Sequence, residues 1–513
     1  MLDSSDSSCV EGYGGFRRVL VANRGEIAVR VIRACRRVGA EAIAVYSRAD
    51  RGAPHVGLAD RAVEIGEGPA RESYLSIERI LAAARKTSAD AVHPGYGFLA
   101  ENAEFAEAVA AQGLTWVGPP PVAIRAMGEK TTARRRMEEA GVPVVPGTAE
   151  PLGGLDEARG RAAEIGYPVL LKAAGGGGGR GMRRVEEEAG LEAALRSARG
   201  EAESAFGDPA VYLEKYVPEA RHVEIQVFAD RAGSTIHLGE RECSLQRRHQ
   251  KVLEEAPAPG LDRATRERMG ALAVKAARAV GYEGAGTVEF LLAPDGAFWF
   301  LEMNTRIQVE HPVTEMVTGV DLVALQLQVA AGERLPFDQD AVELHGHAIE
   351  CRIVAEDPAA GFRPGTGTIT GYRPSAGPGI RFDSGIESGV AVSPHYDPLL
   401  AKCIAWGRTR EEALARIKGA LSETVIEGVT TNLSLQRALL DEPDVLAGRV
   451  HTRWLEQNLD AILRRMADER RPEEPLAAAL AAWSSHTASP VRRSAGDGMA
   501  IAGWREESWV WYR

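Results

Sequence analysis

The chain has 513 residues, 45% of them hydrophobic, with 61 Lys+Arg against 72 Asp+Glu, a globular composition with room for two to four domains. A net charge of −11 argues against a nucleic-acid partner held mainly by electrostatics, while leaving room for a local basic groove around a small anion. No export signal stands among the first fifteen residues and no uninterrupted apolar run of ~18 occurs, so no membrane span is expected; five scattered cysteines without CxxC spacing read as reduced, cytoplasmic and structural.

In chain order, Arg18-Val-Leu-Val-Ala22 predicts a strand, residues 26–38 a helix by apolar spacing, and Ala42-Ile-Ala-Val-Tyr46 a second strand, a Rossmann-like βαβ opening. The intervening turn, Ala22-Asn-Arg-Gly-Glu26, is not GxGxxG, so dinucleotide binding is not expected. Strand patterns recur at residues 89–93 and 114–117, and Pro119-Pro-Pro121 ends the alternation. Boundaries are expected to give a Rossmann-like domain over 1–128, a connection over 129–143, a small α/β lobe over 144–216, a larger α+β part over 217–460, and a linker with a Trp-rich tail over 461–513.

Within the lobe, the strand Val169-Leu-Leu-Lys172 runs into an unbroken glycine run at 175–179, and Met182-Arg-Arg-Val185 looks like a returning strand. Backbone N–H groups of such a loop close over phosphate, although the run by itself fits a flexible linker equally well. A lysine ending an apolar strand places an ammonium beside the loop; a snorkelling surface lysine is the plain alternative. Further on, His222, Glu224 and Gln226 alternate on one strand, and Gln246-Arg-Arg-His-Gln-Lys251 is dense in hydrogen-bond donors.

Residues 302–310 read Glu-Met-Asn-Thr-Arg-Ile-Gln-Val-Glu, which in an extended strand puts Glu302, Asn304, Arg306, Gln308 and Glu310 on one side. Carboxylates and an amide suit a hard cation, Arg clamps oxyanions, and a second carboxylate serves as base. Full extension would separate the two ends by ~26 Å, so the run is expected to bend near Arg306. The preceding Phe298-Trp-Phe-Leu301 is apolar without a break and reads as a strand buried on both faces. The turn Ala293-Pro-Asp-Gly296 predicts a hairpin in which Glu289 and Glu302 face each other, an arrangement a divalent metal explains.

Taken jointly, Val21-Ala-Asn-Arg-Gly-Glu26, His93-Pro-Gly-Tyr-Gly-Phe-Leu99, the glycine loop, Gln246-Arg-Arg-His-Gln-Lys251, the 302–314 run and Glu350-Cys-Arg352 resemble the ATP-grasp superfamily, and within it the biotin carboxylase part of biotin-dependent acyl-CoA carboxylases. The resemblance implies an ATP-grasp fold, α/β and α+β, with a mobile glycine-rich lid over 144–216 and a mixed C-terminal part. It implies ATP contacts from Lys130, Lys172, Gly177, Gly178, Met182, Glu214, Lys215, Val217, His222, Gln246, His249 and Leu291. It also implies Mg²⁺ (or Mn²⁺) at Glu289, Glu302 and Asn304, and bicarbonate and biotin at Lys251, Arg306, Gln308, Val309, Glu310 and Arg352. The catalytic set would be Glu310 as base with Lys251, Arg306 and Arg352.

No Met-Lys-Met biotinylation sequence is present, so biotin would arrive on a carrier protein or domain of another chain. The resemblance adds a separate carboxyltransferase to the expected partners and makes a homodimer the expected assembly. The tail from Ala477, with Ala502-Gly-Trp-Arg505, faintly resembles the start of the domain that follows the carboxylase in longer alpha subunits. Two competing readings are another ATP-grasp ligase, such as a carbamoyl-phosphate-forming enzyme, which shares the lysines and metal ligands but is disfavoured by the 306–310 run and Arg352, and a silent nucleotide-binding partner, which need not retain every charged site residue.

Overall fold

The computed structural model describes residues 15–148, 150–173 and 182–470. The glycine loop with Gly177 and Gly178, and the Trp-rich tail, lie outside them. The chain divides into a unit through Leu463, which carries every sheet among the described residues, and a second unit from Arg464.

The N-terminal part is a five-stranded parallel sheet in the order Arg61–Gly66, Glu41–Ser47, Arg18–Val21, Ala91–His93, Thr115–Trp116, with the helix Gly25–Arg37 crossing between the first two strands in sequence. Leu20 pairs with Ile43 on one side and Val92 on the other, and all three are fully buried, which is why these strands read as apolar runs. The non-GxGxxG turn is committed to the protein itself: the Asn23 side-chain amide donates to the carbonyls of Pro94 (2.6 Å) and Tyr96 (2.7 Å), tying the first motif to the second.

The lobe holds three antiparallel strands, Met182–Val185, Val169–Ala173 and Val211–Lys215, under the helices Leu155–Ile165 and Leu191–Phe206. Leu152, Val169, Leu171, Leu191, Leu195 and Leu213 belong to a hydrophobic cluster drawn only from this lobe. The returning strand is as expected, with Lys172 opposite Met182.

The largest sheet has eight strands, in the order Phe298–Asn304, Gly284–Leu292, Arg221–Ala229, Thr235–Arg247, Gln250–Ala256, His347–Val354, Leu399–Gly407, Ile380–Ser384. The predicted hairpin forms, with Gly296 at φ +83 and its N–H donating to the Ala293 carbonyl (3.0 Å). The aromatic strand is not buried on both faces: it is the edge strand, with Phe298 and Phe300 in the core and Trp299 and Leu301 only half-buried. The 302–310 run is a strand only as far as Asn304. Glu101 ends it, its carboxylate accepting from the Thr305 N–H (3.0 Å) and from Arg306 Nε (3.0 Å), and the chain turns into the helix His311–Thr318. Among the described residues, no single helix is long and apolar enough to cross a membrane, and Cys35, Cys243, Cys351 and Cys403 are free and buried.

Candidate active site

One row of the large sheet carries charge across four strands. Glu302 stands opposite Glu289, Glu289 opposite Glu224, and Glu224 opposite Arg241. Three carboxylates in register repel one another unless cations lie among them. Arg241, with no exposed surface, spends its donors on Glu224 (2.5 Å), Gln226 (2.7 Å), Thr314 (3.0 Å), Thr287 (3.1 Å) and Gln308 (2.7 Å). Lys251 enters from the next strand, its ammonium 2.6 Å from Glu224, 3.2 Å from Glu289 and in contact with Glu310. Burial alone would lower the Lys251 pKa, but these acids hold it well above the ordinary lysine range.

Glu310 is the meeting point. One oxygen takes Lys251 and the other takes Arg352 at 2.9 Å, and the carboxylate is 2% exposed. Burial favours its neutral form, yet Lys251, Arg352 and Arg241 outweigh burial and hold its pKa well below the usual carboxylate range. Arg352 also donates to Glu254 (2.5 Å), a carboxyl pushed up to about 7 by burial against the pull of Arg352.

Above this floor opens a cavity of about 970 Å³. Every residue assigned a role from the sequence that lies within the described residues lines it: Lys130, Lys172, Met182, Glu214, Lys215, Val217, His222, Gln246, Lys251, His249, Glu289, Leu291, Glu302, Asn304, Arg306, Gln308, Val309, Glu310 and Arg352. Gly177 and Gly178 fall outside the description. In this structure Lys172 pairs with Glu214, which also lies 3.7 Å from Arg134, and the Lys215 ammonium donates to the carbonyls of Gly166 (2.8 Å) and Tyr167 (3.2 Å). The basic turn around Arg248 and His249, both at positive φ, joins two strands, and Arg247 stacks on Phe362 with its guanidinium carbon 3.6 Å from the ring centre.

The donor set at the cavity wall suits a hard divalent cation. Glu302 is exposed at the cavity, and the charge of Glu289 opposite raises its pKa; a cation between the pair would relieve that repulsion. Asn304 lies beside them, its amide donating to Glu289 (2.8 Å) and its oxygen accepting from Arg306 (2.9 Å). Two other clusters with ligand-like spacing, His222/Glu224/Glu289 and Glu224/Cys243/Glu310, already have Lys251 or Arg241 among their carboxylates and need no metal to offset the charge.

Sequence reasoning assigned no role to Arg241, Glu254 or Lys402. Lys402 was the most legible of these: it interrupts the apolar run Leu399-Leu-Ala-Lys-Cys-Ile-Ala405, a pattern buried on both faces, where a lysine must find partners.

Fold and site together define an ATP-grasp ligase: a Rossmann-like sheet, a small three-stranded lobe and an antiparallel sheet whose charged row faces one cavity. Residues 15–124 match the family described as the biotin carboxylase N-terminal domain, 129–337 the carbamoyl-phosphate synthase L chain ATP-binding domain, and 350–457 the biotin carboxylase C-terminal domain. Biotin carboxylase 1 of Bacillus subtilis is 53% identical over 441 residues, 86% of this chain and 98% of that protein. A pyruvate carboxylase subunit from Methanothermobacter thermautotrophicus is 52% identical over 457 residues, 88% of this chain and 93% of that one. The biotin carboxylase domain dimer of Hydrogenobacter thermophilus 2-oxoglutarate carboxylase, solved with MgADP, ADP and bicarbonate, superimposes with a TM-score of 0.82 at 47% identity over 87% of this chain and 98% of that one. The chain belongs to the biotin carboxylase family of ATP-dependent ligases.

Proposed function

We propose that this chain carboxylates the ureido nitrogen of biotin on a separate carrier protein, using ATP and bicarbonate, as the carboxylase subunit of a biotin-dependent acyl-CoA carboxylase. The observation that carries the reading is Glu310, buried and ionised between Lys251 and Arg352 on the floor of the cavity.

Bicarbonate binds at Lys251, Arg306, Gln308 and the Val309 N–H. Its arrival draws on Lys251 and so frees Glu310 of part of the charge that depresses its basicity. Glu310 takes the proton, the bicarbonate oxygen attacks the γ-phosphorus of ATP, and ADP leaves, giving carboxyphosphate. That species breaks to CO₂ and phosphate, phosphate removes the ureido N–H proton, Arg352 steadies the resulting ureido oxyanion, and nitrogen attacks CO₂. The work is positioning and charge stabilisation, with each well-placed donor contributing ~3 kcal/mol. Glu289, Glu302 and Asn304 would hold Mg²⁺ or Mn²⁺, which supplies charge neutralisation at the phosphates when bound.

Lys130, Lys172, His222, Gln246 and His249 serve ATP, and the lobe over 144–216 is the lid. Lys172 exchanges Glu214 for phosphate when nucleotide enters. The enzyme works as a homodimer in the cytoplasm, with a biotin carrier and a carboxyltransferase on other chains. The acyl-CoA context rests on the motif resemblance as a whole, with a further faint likeness in the tail around Ala502-Gly-Trp-Arg505. The similarity to a pyruvate carboxylase protein supports a second acceptor, pyruvate; the choice lies with the carboxyltransferase.

The test is phosphate release from ATP with and without bicarbonate, then with free biotin or a biotinylated carrier. Bicarbonate dependence with stimulation by biotin is expected. Absence of stimulation by either form would favour another ATP-grasp ligase, and no cleavage at all a silent partner.

A further inference from the structure

Two motifs, around Glu26 and Tyr96, have no part in the chemistry above, yet both lead to one buried side chain. Lys402 has no exposed surface. Its ammonium donates to the Val309 carbonyl (2.7 Å) and lies 3.1 Å from Glu26 and 3.8 Å from Asp383. Glu26 opens the first helix of the N-terminal part and accepts the Tyr96 hydroxyl; Asp383 belongs to the last strand of the large sheet and takes both forks of Arg381 (2.9 and 2.8 Å). The contact is close enough to bar a side chain at Gly385, where a Cβ would fall 2.6 Å from the Glu26 nitrogen. A parallel clasp holds the helix that follows Glu310: Glu315 accepts from Arg30 (2.8 Å) on one side and Arg381 (2.7 Å) on the other.

We propose that Lys402 is a positioning residue for the carboxylation reaction: its bond to the Val309 carbonyl fixes the 309–310 peptide, from which the Glu310 side chain departs, and so aims the Glu310 carboxylate at bicarbonate. The inference rests on the bicarbonate reading of this loop given above. Stability does not demand a buried lysine here, since packed apolar residues commonly replace buried ion pairs without loss. What an apolar residue cannot supply is a donor to an inward-facing carbonyl one residue before the base. Glu26 and Asp383 offset the lysine's charge from the N-terminal and C-terminal parts, while the bond to Val309 sets the alignment of the loop.

The test is the charge-compensated double variant Lys402→Met with Glu26→Gln, compared with Glu26→Gln alone, in bicarbonate-dependent ATP cleavage. The double variant is expected to melt within a few degrees of the wild type, to raise the bicarbonate KM roughly 10-fold or more, and to leave the ATP KM within about twofold. Glu26→Gln alone keeps the bond to Val309 and should leave the bicarbonate KM within about threefold; a rise of roughly 10-fold there would overturn the assignment, even if the double variant did not fold. A double variant with the wild-type bicarbonate KM would overturn it as well. Wild-type protein without bicarbonate-dependent cleavage would overturn the reading of the loop itself, and the role of Lys402 with it.

Discussion

Glu289 faces Glu302 across the hairpin because Leu301, between Glu302 and Phe300, has no opposite number: Glu289 pairs with Glu302 and Phe290 with Phe300. This single-residue bulge reverses the phase of the strand. Before it the even-numbered Phe298 and Phe300 face the core; after it the odd-numbered Met303 does, and Glu302 and Asn304 turn to the cavity. Glu302→Gln should therefore have effects of opposite sign. Glu302 carries a raised pKa in the folded protein, so its ionised form opposes folding at neutral pH, and the metal-free variant should be slightly more stable, within ~0.5 kcal/mol for so exposed a group. Its Mn²⁺ affinity, followed by electron paramagnetic resonance with ADP present, should fall roughly tenfold or more. An unchanged Mn²⁺ affinity would remove Glu302 from the metal set.

Glu310→Gln preserves shape and removes the base. Bicarbonate-dependent ATP cleavage should drop roughly 100-fold or more, while ATP binding by calorimetry stays within about threefold. Robust turnover in this variant would end the assignment.

Arg352→Ala separates the two half-reactions less cleanly than residue type alone implies, because Arg352 also holds Glu310. Lys251 retains its own grip on that carboxylate. Biotin-independent phosphate release should fall by less than about tenfold, against roughly 100-fold for carboxybiotin formation. Equal losses in the two assays would show that the arginine serves the base alone.

His55 gives the fold an acid sensitivity. Burial holds it neutral, with a pKa of about 4 against an ordinary 6.5, outweighing the pull of the Asp50 carboxylate the other way. Between those values the unfolded chain binds a proton that the native one refuses, so stability drops as pH falls through this window. The stability difference between wild type and His55→Gln should shift against the wild type by ~1.4 kcal/mol per pH unit from about pH 6.5 to about pH 4, measured by urea titration. A difference independent of pH would place the charge change elsewhere.

Sequence periodicity found the first helix and four of the five parallel strands because their burial repeats with the period of the element; the strand Arg61–Gly66, exposed over much of its length, went unread. It also put Glu302 and Asn304 on one face, as they are at the cavity, but on a premise of alternation through 310 that fails where the strand ends at Asn304. That the run bends was legible from reach alone, with Arg306 as the expected place; that the strand ends at Asn304 and that Glu101 ends it was not, since Glu101 lies about two hundred residues away in sequence. Arg241 escaped notice for a related reason. In Gly239-Glu-Arg-Glu-Cys243 it resembles a solvated strand face, and only the neighbouring strands reveal that Glu240, Arg241 and Glu242 are all buried.

Arg241 has no donor to spare for a ligand, and that fixes the character of the floor. A guanidinium bonded to five side chains cannot follow an incoming anion, so the field it casts on Glu224 and Glu310 is present before substrate enters and unchanged when product leaves. Turnover then costs little solvent-like relaxation on that side of the cavity. Replacement by lysine, which keeps the charge but lacks the planar fork, would leave Gln226, Thr287, Gln308 and Thr314 to reorient with each cycle.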